Sequence, residues 1–315
     1  MPRRPSTSAL KSNPSDRSKP DRVRQGDGSP LKPPAQANGR RDRDPGSGAL
    51  PAQLAEAIAR ARPRLGRLAS TLVYFDTIGS TNDEAERRAA DLNPAEGLVV
   101  VADEQTKGRG RRGHAWFSPP GSGLYVSVVL APAAGATDPA RATTLLTLAA
   151  GVALAEGIEQ AAGVRVDLKW PNDLQVSRRK LGGILAESAG AGDRADLVVV
   201  GYGINVRSAA FPPELRGRAT SLESELGRAI DRDDLLAETL AALARRYEDL
   251  LAGRFDAILD AWRGLAPGAS GARVAWTTNA GTASGVTAGI DDLGALLVRV
   301  GDTVERIVSG EVSWS

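Results

Sequence analysis

Apolar residues change their spacing twice along this 315-residue chain, near Leu50 and at Pro267-Gly268, and these changes fix how many folded parts it can form. Residues 1–48 are rich in Pro, Ser, Arg, Asp and Gly, with only scattered apolar residues such as Leu10, Val23 and Leu31. Such a segment cannot bury enough apolar surface to offset its ordering entropy, so a disordered tail is predicted. Residues 1–50 hold 11 of the 40 Lys and Arg and 5 of the 38 Asp and Glu, which leaves 29 basic and 33 acidic side chains for the rest. The basic excess therefore belongs to the tail and not to a folded basic face. A nucleic-acid or partner-binding arm is the alternative reading of the tail. It has no aromatic residue and no helix-turn-helix periodicity, so sequence-specific DNA binding is not expected.

From Leu50 to about residue 266 helical and extended periods are mixed. Helices are predicted at 51–62, 80–90, 140–162, 233–251 and 255–262, and strands at 72–75, 98–102, 124–131, 164–169, 181–187 and 197–204. The last two read as an antiparallel pair joined by a turn at 189–196. After Pro267-Gly268 come short alternating strands with glycine turns, the signature of a small β-barrel. The expectation is an α+β fold with a mixed or antiparallel sheet over residues 49–266 and a β domain at 267–315. Cysteine is absent and His114 is the only histidine, which excludes a Cys-based zinc site and makes a His-driven triad a poor fit. No apolar run of the roughly 20 residues needed to span a bilayer is expected, nor a secretory signal. A cytoplasmic protein without a membrane anchor, monomer or homodimer, is the default.

Five segments carry chemistry. Gly108-Arg109-Gly110-Arg111-Arg112-Gly113 joins a pliable backbone to concentrated positive charge, the combination phosphates need, although a solvated basic loop is the plainer reading. Trp116 and Phe117 beyond it suit the wall of a flat ligand or a place in the core. In Lys169-Trp170-Pro171-Asn172-Asp173, Lys169 ends an apolar strand, where a charge needs a partner. Within 51–315 only Lys107, Lys169 and Lys180 are lysines against 26 arginines, and a compact ammonium suits a carboxylate or phosphate oxygen. Asn172 and Asp173 offer oxygens for Mg²⁺, with Asp173 the metal candidate, or simply form a turn. Paired glycines in Lys180-Leu181-Gly182-Gly183-Ile184-Leu185-Ala186-Glu187, and again in Gly201-Tyr202-Gly203-Ile204-Asn205, mark close approach by a backbone or ligand, or a β-bulge. Ser80-Thr81-Asn82 caps a helix or binds a ligand rich in donors and acceptors.

Taken in order, these segments together with Glu104-Gln105-Thr106-Lys107 and Thr220-Ser221-Leu222 resemble the biotin–protein ligases over roughly residues 70–315. The resemblance implies a catalytic domain similar to class II aminoacyl-tRNA synthetases and lipoate ligases, with an SH3-like C-terminal barrel; the N-terminal helix-turn-helix repressor that some members carry is not expected, because residues 1–48 cannot form one. It implies ATP-dependent formation of biotinyl-5'-AMP with release of pyrophosphate, then transfer of biotin to a lysine of a biotin carboxyl carrier protein. By that resemblance Ser80, Thr81, Asn82 and Gln105 bind the ureido end of biotin, and Arg109, Gly110 and Arg111 form a loop closing over biotin and adenylate. Lys169 meets the carboxylate and α-phosphate and, with Arg111, carries the catalysis. Arg109, Arg111, Trp116, Asn172, Asp173, Lys180 and Asn205 are the ATP candidates, and biotin, ATP and Mg²⁺ are the implied small molecules. The rivals are a lipoate or octanoate ligase of the same superfamily and a biotin-sensing, nucleic-acid-binding regulator.

Overall fold

The computed structural model describes residues 48–189, 196–207, 211–278, 281–310 and 312–314. All but the last residue of the predicted tail, and most of the turn predicted at 189–196, lie outside them. Seven strands form one sheet: β1 (Thr71–Ile78), β2 (Leu98–Gln105), β3 (Gly123–Leu130), β4 (Asp167–Lys169), β5 (Asp173–Val176), β6 (Arg179–Ser188) and β7 (Val198–Asn205), in the order β1-β2-β3-β7-β6-β5-β4. β1 and β2 are parallel, because the helix α2 (Thr81–Asp91) carries the chain back between them; the other neighbours are antiparallel.

Pleating divides the central strands between two environments. Val126, Val128, Tyr202 and Ile204 face a large core closed by α1 (Ala52–Ala61), α4 (Pro139–Ala162), α6 (Arg232–Leu251) and α7 (Phe255–Leu265). Two shorter helices, α3 (Pro132–Gly135) and α5 (Leu222–Leu226), lie in the connections. On the other face α2 buries Ala85 and Ala89 against Val73, Phe75, Val100 and Val199. The face turned from α4 and α6 is where β6 carries Gly183 and β7 carries Gly201 and Gly203.

Helix α4 is itself long and apolar enough to cross a bilayer, contrary to the expectation from the sequence; here 72% of its most apolar stretch is buried inside the fold. Burial in a layered core and burial in lipid select the same composition, so only the packing separates them. α4 and α6 meet closely at Gly157, where an added Cβ would lie 2.7 Å from Thr239 Cα. Thr239 is fully buried and satisfies its hydroxyl by donating within its own helix to Leu235 or Leu236 O, both at 3.0 Å.

Two strands escaped the sequence reading. Pro171-Asn172-Asp173 reads as a turn, yet Asp173 already belongs to β5, a four-residue strand with too few alternating apolar residues to announce itself. Its partner β4 has three strand residues, fewer than the predicted run 164–169. The C-terminal strands β8 (Ser270–Thr278), β9 (Gly281–Ile290), β10 (Leu296–Val300), β11 (Thr303–Ile307) and the unpredicted β12 (Val312–Trp314) form an antiparallel sheet in the order β11-β10-β9-β8-β12. Among the described residues no pairing joins β11 to β12, so the expected barrel is an open sheet here.

This second sheet is fastened to the first. Its residues Val274, Ile290, Leu296 and Val298 belong to the same core as α4 and α7. The Trp170 indole, buried at the β4–β5 turn, donates to Gly294 O at 2.9 Å. The Gly294 turn is held by Asp291 Oδ1, which accepts from Leu293 and Ala295 amides at 2.9 Å each.

Gly157→Ala tests the α4–α6 contact. Overpacking at backbone distance is expected to cost about 1–3 kcal/mol, against the ~1 kcal/mol that alanine gains in a helix interior. Urea denaturation should show a lower midpoint with an unchanged slope.

Candidate active site

Residues paired directly across an antiparallel ladder point to the same face of the sheet. Followed from β3 to β4, one such row reads Tyr125, Gly203, Gly183, Asp173, Lys169. Two adjacent strands therefore have no side chain in the middle of a row that is aromatic at one end and charged at the other. The neighbouring row places Ser127, Gly201 and Leu185 beside it. The β6–β7 register is continuous through Gly183, Gly201 and Gly203, whereas β5 and β6 shift register between Gly182 and Lys180.

Side chains from elsewhere use the space. A Cβ on Gly203 would lie 2.3 Å from Trp116 Nε1, one on Gly183 3.4 Å from Trp116 Cζ3, and one on Gly201 2.0 Å from Asn82 Oδ1. The predicted close approach is thus made by an indole and a carboxamide of the same chain. Trp116 Nε1 is buried with no hydrogen-bond partner among the described residues, a state that costs about 1–3 kcal/mol. It is a donor held ready over the glycine floor.

Trp116 is delivered by a hairpin, not an open loop. Trp116 N–H donates to Gly108 O at 2.9 Å and Gly110 N–H to His114 O at 2.7 Å. A Cβ on Gly108 would lie 2.5 Å from Trp116 O, so only glycine fits that stem. At the tip, Arg111–Gly113 make one 3-10 turn, with Arg112 at φ 56° and Gly113 at φ 78° turning the chain back. Below it the Tyr125 hydroxyl donates to Pro119 O at 3.1 Å; burial raises its pKa, so it stays protonated and keeps that bond.

At one end of the floor the polar candidates meet. Ser80 is the N-cap residue of α2 by position, yet its side chain makes no capping bond, which weakens the purely structural reading of Ser80-Thr81-Asn82. Thr81 donates from its amide (2.8 Å) and its hydroxyl (3.0 Å) to Gln105 Oε1, and Gln105 Nε2 donates to Ser118 Oγ at 3.0 Å. Ser127 Oγ lies 2.8 Å from Thr81 Oγ1 and 2.6 Å from Asn82 Oδ1. Asn82 Nδ2 donates to Glu187 Oε2 at 2.8 Å, and the Arg109 guanidinium donates to both oxygens of Glu187 at 3.0 and 2.7 Å. Ser127, Ser118 and Glu187 were not singled out in the sequence. The available signal was a lone serine in Val126-Ser127-Val128, since a polar residue within an apolar strand must find a partner.

The cationic candidates gather toward the other end. Lys180 Nζ lies 2.6 Å from Asp173 Oδ1 and 5.5 Å from the centroid of the Trp116 ring. Arg111 Nη1 donates to Asn172 Oδ1 at 3.2 Å, and Asn172 Nδ2 to Ile184 O at 2.7 Å. Lys169 ends the row beside Asp173, on the face that carries the Trp116 indole, so the arginine hairpin and this lysine share one side of the sheet. Asn205 ends β7 two residues beyond Gly203 on the same face, its amide donating to Thr220 O at 3.0 Å. Arg111 also lines a cleft of about 280 Å³ between the Trp170-Pro171 turn and the C-terminal sheet, with Leu293, Arg306 and Val308 opposite.

These contacts bear on the reading of Asp173 as a magnesium ligand. Asp173 Oδ1 faces the Lys180 ammonium and Asn172 Oδ1 faces the Arg111 guanidinium, so one oxygen of each already serves a cation. No group of three or more His, Cys, Asp or Glu able to hold a metal occurs among the described residues. The pair does not fit a resident metal ion.

Comparison with known proteins agrees with this geometry. Residues 74–205 match the biotin/lipoate A/B protein ligase family and residues 269–314 match the biotin protein ligase C-terminal domain. The chain is 38% identical over 264 residues to the bifunctional ligase/repressor BirA of Bacillus subtilis, covering 83% of this chain and 79% of that protein. It belongs to the biotin/lipoate A/B protein ligase family. A biotin–[acetyl-CoA-carboxylase] ligase of Paracoccus denitrificans is 36% identical over 226 residues, 70% of this chain and 90% of that protein. Among solved structures, the biotin protein ligase of Aquifex aeolicus in complex with biotin and ATP is similar with a TM-score of 0.66 and 29% identity, over 78% of this chain and 99% of that one.

Gly203→Ala tests the seating of the indole. The new methyl is expected to expel Trp116 and free its hairpin. Limited trypsinolysis after Arg109, Arg111 and Arg112 should then accelerate about tenfold or more, as local opening loses roughly 1.4 kcal/mol of cost. An unchanged cleavage rate would show that the hairpin is held by other contacts.

Proposed function

We propose that this chain activates biotin with ATP to biotinyl-5'-AMP and transfers the biotinyl group to a lysine of a biotin carboxyl carrier domain. One observation carries the reading: a glycine floor runs from the hydrogen-bonding cluster of Thr81, Asn82 and Gln105 to the charged group of Lys169, Lys180 and Arg111. Biotin has the matching order of parts, a ureido ring with two N–H donors and one C=O acceptor, an apolar chain and a carboxylate. Lipoate has no polar ring to meet the far cluster, so this same observation favours biotin over the lipoyl acids. The relatives named biotin–[acetyl-CoA-carboxylase] ligase support the same choice.

In the first step a carboxylate oxygen of biotin attacks the α-phosphorus of ATP and the bond to pyrophosphate breaks. Two anions must approach, so the work of the protein is charge compensation and orientation. Lys169 is assigned to the carboxylate and α-phosphate oxygens and Arg111 to the phosphate side. Arg109 and Gly110 belong to the hairpin that covers the adenylate, with Trp116, Lys180, Asn172, Asp173 and Asn205 near the nucleotide. Magnesium is assigned to the phosphates of the nucleotide and not to Asp173. In the second step the acceptor amine attacks the acyl carbon, AMP leaves, and a proton is lost from nitrogen. An acyl-adenylate is prone to hydrolysis, so a cover that excludes water protects it until the amine arrives.

The same proposal places the reaction in the cytoplasm, takes residues 49–266 as the catalytic domain, and takes 267–315 as an SH3-like cap. Incubation with biotin, MgATP and an apo carrier domain, followed by avidin detection, tests the activity. Adenylate formation with lipoate but not with biotin would overturn the substrate assignment. Lys169→Ala is expected to lower adenylate formation at least about 100-fold, the usual scale for a preorganised charge, with an unchanged melting temperature. Turnover like that of the wild type would remove Lys169 from the mechanism.

A further inference from the structure

We propose that Glu187 is a positioning residue that sets which way round the Asn82 carboxamide stands, and through it the hydrogen-bonding character of the ligand pocket. This rests on the reading of that pocket as the ureido site. The two ends of a carboxamide are nearly alike in shape and opposite in hydrogen bonding, so a neighbour must decide between them. An ionised carboxylate only accepts. Glu187 Oε2, 2.8 Å from the Asn82 amide, therefore requires the NH₂ group on its own side, a demand that Leu185 O makes more weakly at 3.4 Å. The carbonyl Oδ1 is then turned to Ser127 and to the bare Cα of Gly201, where a Cβ would come within 2.0 Å of it. The pocket consequently offers a fixed acceptor at that point.

The hydroxyl count shows that this cluster has room for a donor. Ser127 Oγ touches Asn82 Oδ1 and Thr81 Oγ1, and Thr81 Oγ1 also touches Gln105 Oε1, which makes three contacts. Ser127 and Thr81 supply only two hydroxyl protons between them. One contact is short of a hydrogen whichever way the hydroxyls turn. A ring N–H delivered to this cluster fills the shortage, whereas a flipped Asn82 would present its own donors and repel it.

Glu187 also holds Arg109, the first arginine of the hairpin, in a two-point contact. The same guanidinium reaches Asp83 Oδ1 at 2.8 Å, but the Asp83 side chain is 59% exposed and, among the described residues, its carboxylate makes no hydrogen bond with Asn82. Orientation of the amide and seating of the hairpin thus meet on the one carboxylate. Glu187→Gln removes the accept-only property while keeping the shape, and Asp83→Asn removes charge from Arg109 without touching Asn82.

Steady-state adenylate formation, read as pyrophosphate release with biotin and with MgATP varied in turn, separates the outcomes. Glu187→Gln is expected to raise KM for biotin about tenfold or more, with KM for ATP within twofold and an unchanged melting temperature. Asp83→Asn should leave KM for biotin within twofold. Glu187→Asp, which keeps the accept-only charge, should recover at least half of the loss on a logarithmic scale. Should Glu187→Gln unfold, the comparison of Glu187→Asp with Asp83→Asn still decides: a rise in KM for biotin must appear in the former alone. Equal KM values for biotin in Glu187→Gln and wild type, or equal rises in the Glu187 and Asp83 variants, would overturn the assignment. Failure of the wild type to adenylate biotin would instead refute the functional reading beneath it.

Discussion

The seating of one indole on two strands without side chains governs the rest of this site. Trp116 reaches Gly203 and Gly183 only because β6 and β7 are in register and both lack a Cβ at the same row. Its backbone in turn closes the hairpin that carries Arg109 and Arg111. A side chain at Gly203 would lift the indole, and with it both guanidiniums, whereas a Cβ at Gly183 would rest in contact with it. The site is therefore specified as much by missing atoms as by present ones.

Much of the fold was legible because its long elements have strong periods. α4, α6 and the β6–β7 pair stand close to where apolar spacing places them. β5 and β12 were not legible, since strands of three or four residues carry too few alternations and take their identity from their neighbours in the sheet. For the C-terminal sheet, strand spacing reports how many strands there are and says nothing of whether the first and last meet, and among the described residues they do not pair.

The site was legible in part. Glycine-arginine alternation and the rarity of lysine pointed to Arg109, Arg111, Lys169 and Lys180, and the sheet gathers them on one face. What sequence could not convey is the direction of each contact. Asn172 and Asp173 read as oxygen donors for a metal, yet fold so that their oxygens face Arg111 and Lys180. Glu187, quoted as the end of a glycine motif, takes its role from Asn82 and Arg109, which lie 105 and 78 positions away. Contacts of that range depend on sheet order, which no local pattern encodes.

The burial of α4 has a consequence for how the chain is made. This segment is complete at residue 162, whereas its covering partner α6 ends at Leu251. Synthesis at about 5–20 residues per second leaves a greasy 24-residue stretch waiting several seconds for its cover. During that interval the apolar side of the segment stays uncovered, so the nascent chain is open to sticking well before the catalytic residues have anything to act on.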